Sequence, residues 1–292
     1  MSVRSVVLGV FAEYVRFAGG SIPLGRLSQI LEAMSIQPET TRTIMTRLRS
    51  EGWFASQRDG RQVTYSITPY LYSVIDEGRQ RIFGAPELEW DGLWHLVMYQ
   101  IPEEQRALRE SLRKRLTFLG FGSPTASTWL AVRDLRSQVE MLMLDLGIED
   151  TSSIGLLQLM SRTESAAVDR QIARRCWDLD RINAVYLEWV RTWHERVRDF
   201  GVNPPRGAQA LSAHVDLIGE YRRFPFSDPG LPPGLLPTPW HGKSAYTLFT
   251  EGHSVLYPFA DRYFEEITGL KIERGEAGAP TRPNSAVSKV SH

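Results

Sequence analysis

Val3, Val6, Val7, Val10, Phe11, Tyr14 and Val15 recur at helical spacing until Gly19-Gly20 interrupts the run. A second helix is predicted from Pro23, a favoured first helical position, through Leu24, Leu27, Ile30, Leu31 and Met34. After Ser35-Ile36-Gln37 a third begins near Pro38 and stops at Gly52. The apolar period then shortens from helical to alternating. Residues 53–57 and 63–67 read as two strands joined through Arg58-Asp59-Gly60-Arg61-Gln62, and Asp-Gly between alternating β-formers signals a hairpin. Pro69 opens a further helix that runs to Phe83, and Gly84-Ala85-Pro86 ends it.

Strand and helix alternate in the next block. Strands are predicted at 95–101, twice within 121–132 and at 154–160, with helices at 102–119 and 135–146. This βαββαβ order is the ferredoxin-like arrangement. From about Asp169 the pattern is helical again. Ile182, Val185, Tyr186, Trp189, Val190 and Trp193 form an aromatic stripe that reads as helix core or dimer seam before a ligand-stacking wall. Helices at 208–224 and 244–267 flank residues 225–243, whose six prolines and three glycines describe an ordered loop. Residues 271–292 lack aromatics and are rich in Gly, Pro and Ser, the composition of a disordered tail. The predicted fold class is therefore α+β. It comprises a winged helix-turn-helix at 1–86, a ferredoxin-like domain at 87–168, a helical domain at 169–270, and the tail.

Charge narrows the function. Across 292 residues, 34 basic side chains balance 34 acidic ones, so any attraction to nucleic acid is local. The basic set is 30 Arg against 4 Lys, and Arg suits bidentate contacts to guanine and phosphate. A lone Cys176 excludes an internal disulfide and any multi-cysteine metal site. No stretch reaches the roughly 18 apolar residues of a membrane span, so a soluble cytoplasmic protein is expected, with no membrane partner.

The third helix carries the chemistry. At 100° per residue Thr41, Ile44, Met45 and Leu48 share one face, while Glu39, Arg42, Thr43, Thr46, Arg49 and Ser50 share the other, with Arg47 on its flank. In a helix-turn-helix the second helix enters the major groove by its N-terminal end. Gln37, Thr40, Arg42, Thr43, Thr46, Arg47 and Arg49 are the candidate DNA contacts. Arg58, Arg61 and Gln62 at the hairpin tip suit phosphate or the minor groove.

The segment from Thr41 to Trp53 resembles the recognition helix of the PaaX-like repressors of phenylacetic-acid degradation. Trp90-Asp91-Gly92-Leu93-Trp94, Ile101-Pro102-Glu103-Glu104, Leu119-Gly120-Phe121-Gly122, Trp177-Asp178-Leu179-Asp180, Tyr221-Arg222-Arg223-Phe224-Pro225 and Asp228-Pro229-Gly230-Leu231-Pro232 follow in the family's order. The resemblance spans about residues 3–270. It implies a homodimeric repressor of a pseudo-palindromic operator, released by an aryl-acyl-CoA thioester such as phenylacetyl-CoA. Such a ligand needs Arg with aromatics in a concavity, for which Tyr221, Arg222, Arg223, Trp240 and His241 are candidates.

The alternative is a metal-dependent nuclease, because the central domain also resembles small CRISPR-associated ferredoxin-like nucleases. Its first strand, Leu96-Val97-Met98-Tyr99-Gln100-Ile101, offers no carboxylate for a metal, and Asp91 precedes the strand. His194-Glu195 lacks the second histidine of a zinc helix, since Arg198 stands there. No catalytic residue, metal or cofactor is expected. Cys176, beside Arg174 and Arg175, reads as a structural cysteine.

Overall fold

A computed structural model describes residues 1–84, 90–148 and 157–274. In chain order it contains α1 (Val3–Glu13), β1 (Ser21–Pro23), α2 (Leu24–Glu32), α3 (Pro38–Ser50), β2 (Phe54–Asp59), β3 (Gln62–Ile67) and α4 (Pro69–Phe83). There follow β4 (Trp94–Met98), α5 (Arg106–Phe118), β5 (Gly122–Thr125), β6 (Thr128–Ala131), α6 (Arg136–Asp145) and β7 (Leu157–Ser161). The remainder is helical: α7 (Ala166–Cys176), α8 (Leu179–Val202), α9 (Ala208–Tyr221), a single turn at Phe224–Ser227, and α10 (Gly242–Thr268). The mixed α+β class, the small central sheet and the helical C-terminal region agree with the sequence.

Contacts divide the chain into two units. The first joins the residues up to 84 to Trp189–Arg223 and to the segment from Ser244. Its three-stranded sheet has the order β1-β3-β2. Ser2 begins α1 by accepting a hydrogen bond from the Ser5 amide, and Thr68 does the same for Leu71 at the start of α4. Between α2 and α3, Ser35 takes a left-handed φ of 61°. The Ile36 amide donates back to Leu31 at 3.0 Å while the Ile36 side chain is buried, the usual closure of a helix C-terminus.

Pro23 corrects the reading of α2. It does not open the helix but ends β1 with extended backbone (ψ 137°), opposite Thr64 of β3. A three-residue strand has no periodicity to detect; it exists because β3 offers it an edge. The core of this unit takes Val7, Val10 and Phe11 from α1, Leu27 and Ile30 from α2, Met45 and Leu48 from α3, and Phe54 from β2. Leu211 and Val215 of α9 and Ala260 and Phe264 of α10 belong to the same core. Each of these side chains larger than alanine, when fully buried, contributes roughly 1.5–3 kcal/mol.

The expected disordered tail does not begin at 271. The Glu273 amide donates to Phe17 O at 2.8 Å, and Ile272 packs on the core. The Arg274 guanidinium donates to both carboxylate oxygens of Asp261 at 2.6 and 2.7 Å and to Glu13 O at 2.9 Å. Composition cannot show that Arg274 finds these partners far back along the chain. Residues 275–292 lie outside the described ones.

The second unit holds the residues from 90 to Glu188 together with Phe224–Lys243. Its sheet has the order β5-β6-β4-β7 with antiparallel neighbours. Side chains alternate between two layers, as the strand period of two requires. Val97, Trp129 and Ala131 pack with Leu112 and Leu116 of α5 and Val139 and Leu142 of α6. Trp94 and Leu130 face the opposite way, packing with Leu179 and with Leu231 and Leu235 of the proline-rich loop. Two of the quoted motifs serve packing and turn geometry. Asp91 Oδ1 accepts from the Leu93 amide at 2.9 Å across Gly92, whose φ is 80°. A Cβ on Gly122 would lie 2.4 Å from the Trp177 ring, so only glycine fits there.

Candidate nucleic-acid interface

The packing of α3 decides which of its side chains are available. Thr41, Met45 and Leu48 are fully buried and Ile44 is half-buried. The Thr41 hydroxyl donates to Gln37 O at 3.3 Å, which satisfies it inside the core. Gln37, Thr40, Arg42, Thr43, Thr46, Arg47 and Arg49 are all exposed, as are Arg58, Arg61 and Gln62 on the β2–β3 hairpin. The two faces inferred from helical periodicity are therefore the buried and open faces of α3. Gln37 caps α3 through backbone geometry alone, leaving its side-chain amide outside the cap. The hairpin turns through Gly60, with a φ of 54°, and Arg58 Nε donates to Gly60 O at 3.1 Å, which holds this guanidinium at the tip.

Local bonds orient the rest. Thr43 Oγ1 donates to Glu39 O at 2.9 Å, and Arg49 donates to the Ser56 hydroxyl of β2 at 3.3 Å, tying the helix to the hairpin. Arg42 lies 3.4 Å from Glu39. At the end of the helix, Arg47 Nε donates to Glu51 at 2.9 Å, and Arg4 of α1 donates to the other oxygen of the same carboxylate at 2.5 Å. The Arg4 guanidinium also sits over the Trp53 ring, 5.3 Å from its centroid. Hydrogen bonds from Arg4 and then Arg47 hold the Glu51 carboxyl below the usual range, so it is ionised. Arg4 and Glu51 were not among the sequence candidates. Their meeting joins residues 47 positions apart, which no local pattern reveals.

The effector candidates have separate fates. Tyr221 is 4% exposed, stacked on Phe249 at 4.0 Å and edge-on to Trp189, so its ring is part of the core of the first unit. Arg222 is half-buried, and burial pulls its guanidinium down from the ordinary value; Arg223 is exposed. In the second unit Trp240 is half-buried and edge-on to Tyr186, and the His241 amide donates to Asn183 at 2.8 Å. Trp189 and Trp193 are buried as helix core. Burial pushes the Cys176 thiol up to about 12, which makes it inert.

A buried polar line was not foreseen. The Tyr14 hydroxyl lies 2.5 Å from His214 Nδ1, and His214 Nε2 lies 2.8 Å from His253 Nδ1. All three side chains are at most 1% exposed. Burial, and then Asp261, raise the Tyr14 phenol, so it is the donor. With Nδ1 accepting from that hydroxyl, the tautomer that completes the line carries its hydrogen on Nε2, toward His253 Nδ1. Desolvation lowers both imidazoles, His253 to about 3, and they are neutral. The signal was present: Leu211, His214, Val215 and Ile218 share one face of α9, as Phe249, His253, Leu256 and Ala260 do on α10.

Among the described residues no group of three or more His, Cys, Asp or Glu side chains is arranged to hold a metal. Asp91, which precedes the first central strand, is engaged by the turn there, and Asp169 accepts from the Trp94 indole at 2.8 Å.

Three family descriptions match successive stretches of the chain: "PaaX-like protein" over 2–70, "PaaX protein central Cas2-like domain" over 87–168 and "PaaX-like protein C-terminal domain" over 177–266. The chain belongs to the PaaX-like family. It is 26% identical over 282 residues to the transcriptional repressor PaaX of Escherichia coli K12, covering 96% of this chain and 88% of that protein. Its fold is similar to that of the uncharacterized protein Rv0674 from Mycobacterium tuberculosis, with a TM-score of 0.55 and 20% identity over 89% of this chain and 96% of that one. This PaaX-like protein is a transcriptional regulator and not an enzyme, which disfavours the nuclease alternative. None of its described helices is long and apolar enough to cross a membrane.

Proposed function

We propose that this PaaX-like protein is a homodimeric repressor whose residues 1–84 act as a winged helix-turn-helix. In this reading α3 enters the major groove, with Arg42, Thr43, Thr46 and Arg47 toward base edges and Gln37, Thr40 and Arg49 toward the groove walls. Arg58, Arg61 and Gln62 on the hairpin rest on flanking phosphates. The carrying observation is the clean division of α3 into a buried face and an exposed one bearing hydroxyls and guanidinium groups. The printed function of the Escherichia coli relative supports it. The protein then works in the cytoplasm or nucleoid on genes of phenylacetic-acid catabolism.

Two copies would place two reading helices on successive half-sites of a pseudo-palindrome. An aryl-acyl-CoA thioester such as phenylacetyl-CoA would release the operator by favouring a dimer geometry that no longer matches the half-site spacing. Arg222, Arg223, Trp240 and His241 are the residues to substitute when mapping where that thioester binds.

A mobility-shift titration on the duplex upstream of the protein's own gene tests the reading. Specific, salt-sensitive retardation without cleavage is expected, lost in Arg42→Ala while the circular dichroism spectrum is unchanged. Operator affinity equal to wild type in both Arg42→Ala and Arg47→Ala would refute the placement of the reading face.

A further inference from the structure

Glu51 stands at an unusual point for a DNA-reading surface. It directly follows α3, carries a full negative charge and meets two arginines, Arg47 on α3 and Arg4 on α1. Its side chain is 30% exposed, so the carboxylate competes with any phosphate that approaches. The Arg47 side chain is 72% exposed and meets Glu51, four residues further along, at 2.9 Å. Arg4 is held from two sides, by the carboxylate and by the Trp53 ring. The rest of the exposed face bonds differently. Arg58 is held by a backbone oxygen and Arg49 by a hydroxyl, neither of which neutralises a guanidinium. Arg42 has an acidic neighbour in Glu39, but at 3.4 Å and with both side chains more than 60% exposed.

We infer that Glu51 is a specificity-determining residue: its carboxylate withholds Arg4 and Arg47 from indiscriminate phosphate contact. The idea rests on α3 being the DNA-reading helix. Sequence-independent binding is set by the number of phosphates that cations neutralise. A carboxylate bonded to two guanidinium groups removes them from that count unless the duplex presents a phosphate or base edge close enough to take over the bond. Random sequence gains little from Arg4 and Arg47, whereas a cognate site, docked in register by the rest of α3, gains both. Discrimination arises from the penalty on the wrong partner as well as from contacts to the right one.

Glu51→Gln keeps the shape and an acceptor oxygen but removes the charge. Binding to a random-sequence duplex and to the duplex upstream of the gene is measured by fluorescence anisotropy across a salt series. The variant is expected to bind random duplex about tenfold more tightly, with a salt slope steeper by about one to two units as one or two cations join the phosphate contacts. Its preference for the upstream duplex falls by a similar factor, and adding Arg47→Gln reverses most of the change. Unchanged affinity and slope on random duplex, or weaker binding to both duplexes, would overturn the inference. Loss of folding in both Glu51→Gln and Glu51→Ala would make Glu51 a structural brace and overturn it too. A wild-type protein that ignores every duplex would instead defeat the reading of α3 itself.

Discussion

Tyr14, which caps the end of α1, and His214 of α9, two hundred residues apart in sequence, meet at 2.5 Å inside the first unit, and His253 of α10 extends the line by a further 2.8 Å. One hydrogen-bonded thread thus runs from the first helix of the protein into two helices near its end. Arg79 of α4 and Arg274 add positive charge nearby, and each is paired with a carboxylate, Glu13 and Asp261. Phe83 and Phe249 close the apolar surroundings of His253.

Acid should loosen this arrangement. The imidazoles are lowered in the folded state, His253 to about 3, against an ordinary value of 6.5. The unfolded chain therefore takes up protons first. Their contribution to stability is complete above about pH 6.5 and is lost as the pH falls from there towards 3, by up to about 1.4 kcal/mol per pH unit for each histidine. Urea midpoints should stay level from pH 7.5 to about 6.5 and then fall down to pH 4.5. Tyr14→Phe should lower stability by about 1–3 kcal/mol at neutral pH, because His214 Nδ1 is left buried without a donor. A midpoint independent of pH over this window would contradict the neutral pair.

Arg58 and Arg61 at the hairpin tip should act through phosphate alone. Replacing both with Ala is expected to weaken binding to all duplexes and to reduce the slope of log K against log salt by about 1.8 units. Thermal stability should not change, since both side chains are exposed. An altered sequence preference with an unaltered slope would place these arginines on bases instead.

Arg274 should matter more than its position near the chain end suggests. Its side chain is 11% exposed and that of Asp261 15%, so Arg274→Ala leaves a nearly buried carboxylate without its cation. A loss of about 3 kcal/mol is expected in urea denaturation. Asp261→Asn in the same background should recover part of it, and additive losses from the two changes would show that they do not act as a pair.

Cys176 should resist thiol reagents in the folded protein. With its thiol at about 12, the thiolate at pH 8 is about three orders of magnitude scarcer than for a free cysteine. Labelling followed by absorbance should be slow until denaturant is added. Immediate native labelling would show an activated thiol instead.

Much of this was legible in the sequence because the deciding signals were local. The apolar spacing of Thr41, Ile44, Met45 and Leu48 gave the buried face of α3, and Asp59-Gly60 marked the hairpin, whose strands reach one or two residues closer to the turn than alternation alone suggested. What was not legible depended on partners far along the chain. Tyr221 looks free beside two arginines until Phe249 is seen stacked on it. The second arginine held by Glu51 comes from another helix. β1 is a strand only because β3 lies beside it. His214 and His253 each sat within an apolar stripe, and a histidine so placed points to a buried partner.

The shared core of α1, α9 and α10 has a consequence for engineering. Leu211, Val215, Ala260 and Phe264 cover apolar surface on the helices that support α3. Cut off after residue 84 and fused to a foreign domain, the N-terminal segment would expose that surface to water and tend to self-associate. Chimeras built from this protein should carry its last two long helices along with its first four.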